Sequence, residues 1–150
     1  VHVSKEVQDA LLSKSPVVSL ESTIITHGLP YPQNIEMAFR VEDEIRKHGC
    51  IPAPTAFING VPKVGLTTSE IEQLAQDTEV KKVSRRDIPY IMAKGLNGGT
   101  TISGTMILSQ KAGIRVFATG GLGGVHRDGE NTMDVSADLD ELGKTSVAVV

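Results

Sequence analysis

Glu21 closes a short apolar run, Pro16-Val17-Val18-Ser19-Leu20, and opens a polar one that holds Ser22, Thr23 and His27. A carboxylate at a strand end, shielded on one side by the core, can hold a proton and deliver it, which is general acid chemistry. A surface acid or a capping partner is the plainer alternative. Two more polar clusters follow. Thr100-Thr101 comes after the glycine-rich Gly95-Leu96-Asn97-Gly98-Gly99, and Gly120-Gly121-Leu122-Gly123-Gly124 lies between Thr119 and His126. Open backbone N–H groups beside hydroxyls are what a phosphate monoester needs. The glycine spacing matches neither a dinucleotide fingerprint nor a P-loop, and tight turns explain it equally well. Asp134, Ser136 and Asp138 alternate in a run of oxygen ligands that suits a hard cation such as Mg²⁺ or Mn²⁺; a helix cap with a solvated acid is the competing reading. His126 could donate to a phosphate, bind a metal or be a satisfied loop histidine. The basic run Lys82-Val83-Ser84-Arg85-Arg86-Asp87 is either a solvated face or the cation for a phosphate.

These residues need elements to position them. Residues 16–21 read as a strand. A helix capped by Asn34 carries Ile35, Ala38, Val41 and Ile45 on one face and ends at Gly49. Residues 51–58 form a second strand, closed by an Asn59-Gly60 turn. A helix capped by Thr68 carries Ile71, Leu74 and Ala75 on its apolar face, residues 80–84 are extended, and helices follow over 87–94 and 103–112. A strand at 114–119, a helix capped by Ser136 and a terminal strand at 146–150 complete the pattern. Strands alternating with helices predict an α/β fold, layered α/β/α around a mixed or mostly parallel sheet.

Composition bounds the function. The chain has 150 residues, 39% hydrophobic and 22% charged, with a net charge of −3 and only 3% aromatic residues. That balance argues against a nucleic-acid polymer as partner but leaves free nucleotides open. A single cysteine, Cys50, excludes an internal disulfide and reads as a structural thiol. No run of 18 apolar residues is present, so no membrane partner is expected, and no signal peptide is visible. The missing initiator Met and the hydrophobic run at the end create the expectation of a piece of a longer protein.

The stretches Leu20-Glu21-Ser22-Thr23-Ile24-Ile25-Thr26-His27-Gly28, Lys82 to Asp87, Phe117-Ala118-Thr119-Gly120-Gly121, Gly123-Gly124-Val125-His126-Arg127 and Asp134-Val135-Ser136-Ala137-Asp138-Leu139 together resemble the pseudouridine-5'-phosphate glycosidase family. The family is also known from indigoidine gene clusters, and the likeness runs over essentially the whole chain. It implies a cytoplasmic enzyme of nucleoside catabolism (organellar in some eukaryotes). Its reaction would be reversible cleavage of the C–C glycosidic bond of pseudouridine 5'-phosphate to uracil and ribose 5-phosphate. By the resemblance, Glu21 is the proton donor and Asp134 binds Mn²⁺. Lys82, Ile102, Ser136, Ala137 and Asp138 bind substrate, and Thr119 and His126 match further pocket positions. The family's lysine nucleophile, which forms an iminium on ring-opened ribose, belongs to a motif past the strand that ends this sequence; Lys144 does not match it. The resemblance also implies a homotrimer. On this reading residues 1–150 are the N-terminal part of one catalytic domain, inactive alone. The alternatives are a non-catalytic phosphosugar or nucleotide-binding module, and an incomplete structural subdomain.

Overall fold

The structure is a computed structural model that describes residues 1–125, 127, 129–132 and 135–150. The elements run β1 (His2–Val3), α1 (Lys5–Leu12), β2 (Val17–Leu20), a π-helical turn (Ile24–Gly28), α2 (Gln33–Lys47), β3 (Ile51–Ile58), β4 (Val61–Val64), α3 (Thr68–Gln76) and β5 (Lys81–Val83). A short 3-10 turn (Arg85–Asp87), α4 (Ile88–Lys94), β6 (Gly98–Thr100), α5 (Ile102–Ala112), β7 (Val116–Ala118), α6 (Gly129–Thr132), α7 (Ala137–Leu142) and β8 (Ala148–Val149) complete the chain. The strands form one sheet in the order β1-β4-β3-β2-β7-β8, with β6 added on β3 and β5 on β6. Five of its pairings are parallel, and the two that β3 makes with β4 and β6 are antiparallel. The α/β class and the mostly parallel sheet expected from the sequence are therefore present.

β3 is the axis of the sheet and is buried on both faces. Ala53 and Phe57 pack with Val7 and Ala10 of α1, Ile91 of α4 and Leu108 of α5. Ala56 and Ile58 point the other way, onto Ala38 of α2 and Ile71 and Leu74 of α3. This period-2 alternation between two helical layers produces the α/β/α arrangement. Pro52 and Pro54 fall where β3 is laddered only to β2. The Ile51 N–H donates to Pro16 on that side, so the prolines' missing N–H groups fall on the opposite edge, where no ladder bond is lost.

Two expected helix starts are corrected. Asn34 does not cap α2, which begins at Gln33. It is buried, and its amide donates to the carbonyls of Ile25 and Ala75, tying α2 to the π-helical turn and α3. α3 is capped by Thr67, not Thr68, in a reciprocal capping box with Glu70. β1, α1 and β4 are additional to the sequence reading, and Gly98–Gly99 belong to a strand rather than an open loop. A Cβ on Gly98 would stand 2.4 Å from Val83 Cγ2, and one on Gly99 would stand 2.3 Å from Thr26 Oγ1. These glycines give room for close packing and cradle nothing.

β2 and β6 use β3 in succession. The β2 ladder ends at Leu20↔Pro54, and β6 takes over at Gly99↔Ala56. The two strands run toward each other and meet where the Ser22 N–H donates to the Thr100 carbonyl at 3.3 Å. The break would strand backbone groups in the core, and hydroxyls satisfy them. Thr55 Oγ1 donates to the Leu20 carbonyl, Thr100 Oγ1 to the Thr55 carbonyl, and Ser22 Oγ accepts from the Thr100 N–H. Thr105 of α5 closes the cluster, and Ser109 continues it to Ser19. Among the described residues no buried side-chain N or O lacks a partner.

One ion pair fastens α7 to the body. Arg85 donates through Nε and Nη2 to the buried Glu141 carboxylate at 2.7 and 2.6 Å, and Thr145 donates to it as well. The Arg85 hydrogen bond, helped by Thr145 and against the effect of burial, holds the Glu141 carboxyl below the usual carboxylate range. A lowered value means that ionised Glu141 favours the folded state. That contribution is whole above the unfolded carboxylate value of about 4.3 and is lost as pH falls through the lower folded value. Urea midpoints of Glu141→Gln and the unaltered protein should therefore differ most near neutral pH and converge below about pH 4. A gap that stays constant with pH would contradict the assignment.

Candidate functional site

The meeting of β2 and β6 brings the ends of both strands to one place. Glu21 follows β2, and Thr101 follows β6 and caps α5, its hydroxyl accepting from the Gly104 N–H. The parallel ladder of β2 and β7 ends at Leu20↔Ala118. One rung further, Glu21 stands beside Thr119, and Thr119 Oγ1 donates to Glu21 Oε1 at 2.5 Å. Thr23 Oγ1 donates to Oε2. Both carboxylate oxygens are thus held by threonine hydroxyls, one from each flank.

Glu21 opens onto a cleft of about 730 Å³. Its wall includes Thr23, Lys82, Ser84, Arg86, Thr101, Ile102, Gly121 to Gly124 and Val135 to Asp138. The expected site residues Glu21, Lys82, Ile102, Ser136, Ala137 and Asp138 therefore line one concavity, although they come from four separate segments. Thr119 lies behind Glu21. His126 and Asp134 lie outside the described residues.

The contributions differ in kind. Lys82 projects from the exposed side of β5 and brings positive charge. Partial desolvation, and then repulsion from Lys82, lower the proton affinity of nearby His27, whose Nδ1 is 2.6 Å from Thr26 Oγ1. The Ile102 side chain is buried with Met106 and Phe117, which leaves its backbone in the first turn of α5 as what it can offer a ligand. Ser136 caps α7, as expected, by accepting from the Asp138 N–H. Asp138 accepts from the Ser103 N–H at 2.9 Å and the Gly123 N–H at 3.2 Å, so its carboxylate already joins α7, α5 and the glycine loop. Gly123 is required there, because a Cβ would fall 2.2 Å from Ser136 Oγ. Among the described residues no group of three or more His, Cys, Asp or Glu side chains could hold a metal ion.

The sequence offered Thr101 as a phosphate hydroxyl and Arg86 within a basic run, but gave Thr23 and Ser84 no role of their own in the site. Thr23 was the more accessible of these two, since it sits two residues from Glu21. Thr100, read as a phosphate hydroxyl, is buried in the strand-break cluster; only Thr101 reaches the cleft. Lys144 is exposed and paired with Asp140 at 3.1 Å, away from the cleft wall. A second, apolar groove of about 370 Å³ lies on the other side of Glu21 and Thr119, floored by Leu20, Pro54 and Ala118 and walled by α2. No helix among the described residues is long and apolar enough to cross a membrane.

Residues 6–150 match the family described as indigoidine synthase A like protein. The chain is 58% identical over 151 aligned residues to a pseudouridine-5'-phosphate glycosidase of Escherichia coli, covering all of this chain and 48% of that protein. Among solved structures it superimposes on the prealnumycin C-glycosynthase AlnA, determined in complex with ribulose 5-phosphate, with a TM-score of 0.90 at 43% identity. That match covers 99% of this chain and 48% of AlnA. An indigoidine synthase A-like protein from Thermotoga maritima matches with a TM-score of 0.87 at 34% identity, over 99% of this chain and 47% of the other. The chain thus spans about half the length of the relatives it matches.

Proposed function

The chain belongs to the indigoidine synthase A like protein family, and on that footing we propose that it is the N-terminal part of a catalytic domain that cleaves pseudouridine 5'-phosphate to uracil and ribose 5-phosphate, reversibly. The observation that carries this reading is the clamped carboxylate of Glu21 lining one cleft with Lys82. The names of the relatives support the substrate: a pseudouridine-5'-phosphate glycosidase at 58% identity, and a C-glycosynthase solved with a pentulose phosphate.

A C–C glycosidic bond has no heteroatom leaving group to protonate. A lysine amine from outside these 150 residues, bonded to C1' as the ribose ring opens, pushes its lone pair into a C1' iminium as the bond to the base breaks, and the electron pair of that bond leaves with the uracil ring. Glu21 delivers the proton that the uracil carbon requires. Lys82 offsets the phosphate charge, while the backbone at Ile102 and the Ser136-Ala137-Asp138 segment orient the sugar phosphate. Asp134 would hold Mn²⁺ through its carboxylate, and the ion would offset negative charge on the substrate. The assembly on this reading is a homotrimer.

The test is uracil release from pseudouridine 5'-phosphate by the full-length parent protein, titrated with Mn²⁺, for the unaltered protein and Asp134→Asn. Release that is Mn²⁺-dependent and shifted to higher Mn²⁺ in the variant is expected. No uracil under any condition would leave a phosphosugar-binding module as the better reading, and an unchanged Mn²⁺ titration would return Asp134 to a capping role.

A further inference from the structure

Each threonine that clamps Glu21 has a second acceptor within reach. Thr23 Oγ1 lies 3.0 Å from the Thr100 carbonyl, and Thr119 Oγ1 lies 3.0 Å from the Gly121 carbonyl. A hydroxyl has one hydrogen to donate, so it serves either the carboxylate or the carbonyl at a given moment. The oxygens themselves are fixed independently of where the hydrogens point. Thr23 is buried at the start of the π-helical turn, and Thr119 Oγ1 accepts from the Gly121 N–H at 3.3 Å.

We propose that Thr23 and Thr119 are positioning residues that form a two-state hydroxyl clamp, re-aiming their hydrogens as Glu21 gains and loses its proton so that the carboxyl group need not move. With Glu21 ionised, both hydroxyls donate to it. With Glu21 protonated, its O–H donates to one threonine oxygen, and that threonine turns its own hydrogen to the backbone carbonyl. In proton delivery the Glu21 O–H bond breaks as the C–H bond to the base carbon forms. The electron pair stays on Glu21, and the displaced threonine hydrogen swings back to the new carboxylate. Both states leave every hydrogen of the clamp donated; when the threonines serve the carboxylate, the Thr100 carbonyl keeps the Ser22 N–H and the Gly121 carbonyl lies at an exposed residue open to solvent, so neither state costs an orphaned buried group.

The surroundings leave this task to the hydroxyls. Among the described residues the charged groups around Glu21 are Lys82, Arg86 and Asp138 in the cleft and Glu42 and Glu44 in the groove behind. None of them forms a hydrogen bond or ion pair with Glu21. Asp138 is committed to Ser103 and Gly123, and Glu44 to Lys47 and His48.

The inference rests on Glu21 being the proton donor, and its test separates the two ideas. In the full-length parent protein, Thr119→Val should lower kcat about 10- to 100-fold, the worth of a hydrogen bond to a charged group, with KM little changed. Thr119→Ser, which keeps the hydroxyl, should restore most of kcat. In a Glu21→Gln background no charge forms, so Thr119→Val should have little further effect in single-turnover measurements. Equal effects of Thr119→Val in both backgrounds, failure of Ser to restore kcat, or an unchanged kcat would each overturn the clamp while leaving Glu21 as donor. An active Glu21→Gln protein would remove the donor reading and the clamp with it.

Discussion

Glu21→Gln in the full-length parent protein is expected to lower turnover about 10²- to 10⁴-fold, the range of a positioned general acid, while substrate affinity changes only a few-fold. The substitution is isosteric and removes the transferable proton. The carboxamide oxygen can still accept from one threonine, so the flanks that Glu21 joins, the π-helical turn and the end of β7, should stay in place. The measurement pairs kcat for uracil release with a binding constant for the sugar phosphate from calorimetry. Turnover within about threefold of the unaltered protein would take Glu21 out of the chemistry. Loss of affinity in step with turnover would make it a binding group.

The largest effect on stability is expected at Phe57. Its ring is fully buried on β3, in the cluster that joins α1, α4 and α5 to the sheet. Phe57→Ala removes most of that side chain from a place where helices and strands converge from widely separated parts of the sequence. No single element can shift to close the space without loosening the others. The cost should be about 3–5 kcal/mol, against a total of roughly 5–15 kcal/mol for a typical domain. Phe57→Leu, which keeps most of the volume, should cost less than about 1.5 kcal/mol. Chemical denaturation midpoints of the parent protein measure both, and equal costs would mean that the cavity collapses freely. Because Phe57 shares a face of β3 with Thr55, the alanine variant should also loosen the hydroxyl cluster under the strand ends.

Much of this was legible in the residues. Long periodic segments announced α2, β3 and α5, because amphipathic spacing and apolar runs state burial directly. Glu21 was visible because an acid at the end of an apolar run is conspicuous. Lys82 and the Ser136-Ala137-Asp138 segment stood out only within separated stretches taken together, and the fold brings them with Glu21 and Ile102 to one cleft. What stayed hidden has physical causes. β1, at two residues, is too short for any period to declare itself, β4 carries Pro62 and Lys63 inside its run, and β6 is mostly glycine. The glycines of β6 were read as an open loop, since the sequence does not say that Val83 and Thr26 press on them. Thr100 was read as a ligand hydroxyl because nothing local distinguishes one that serves a substrate from one that repairs a broken ladder. Asn34 was read as a cap because its true partners, Ile25 and Ala75, are remote in sequence or on another element.

The head-on junction of β2 and β6 makes the reactive centre a matter of counting. Strands advance about 3.3 Å per residue and reverse face at every step. One residue added to or removed from Val17–Leu20 would leave both helical layers and their packing surfaces intact in composition. Glu21 would nonetheless arrive a rung early or late, turned away from Thr119 and out of reach of the tip of β6. The helices therefore tolerate drift in sequence, while the span between Pro16 and Glu21 behaves as a ruler whose length is the message. Divergent members of such a fold could change nearly every residue of that strand and keep the chemistry, provided none changed its number.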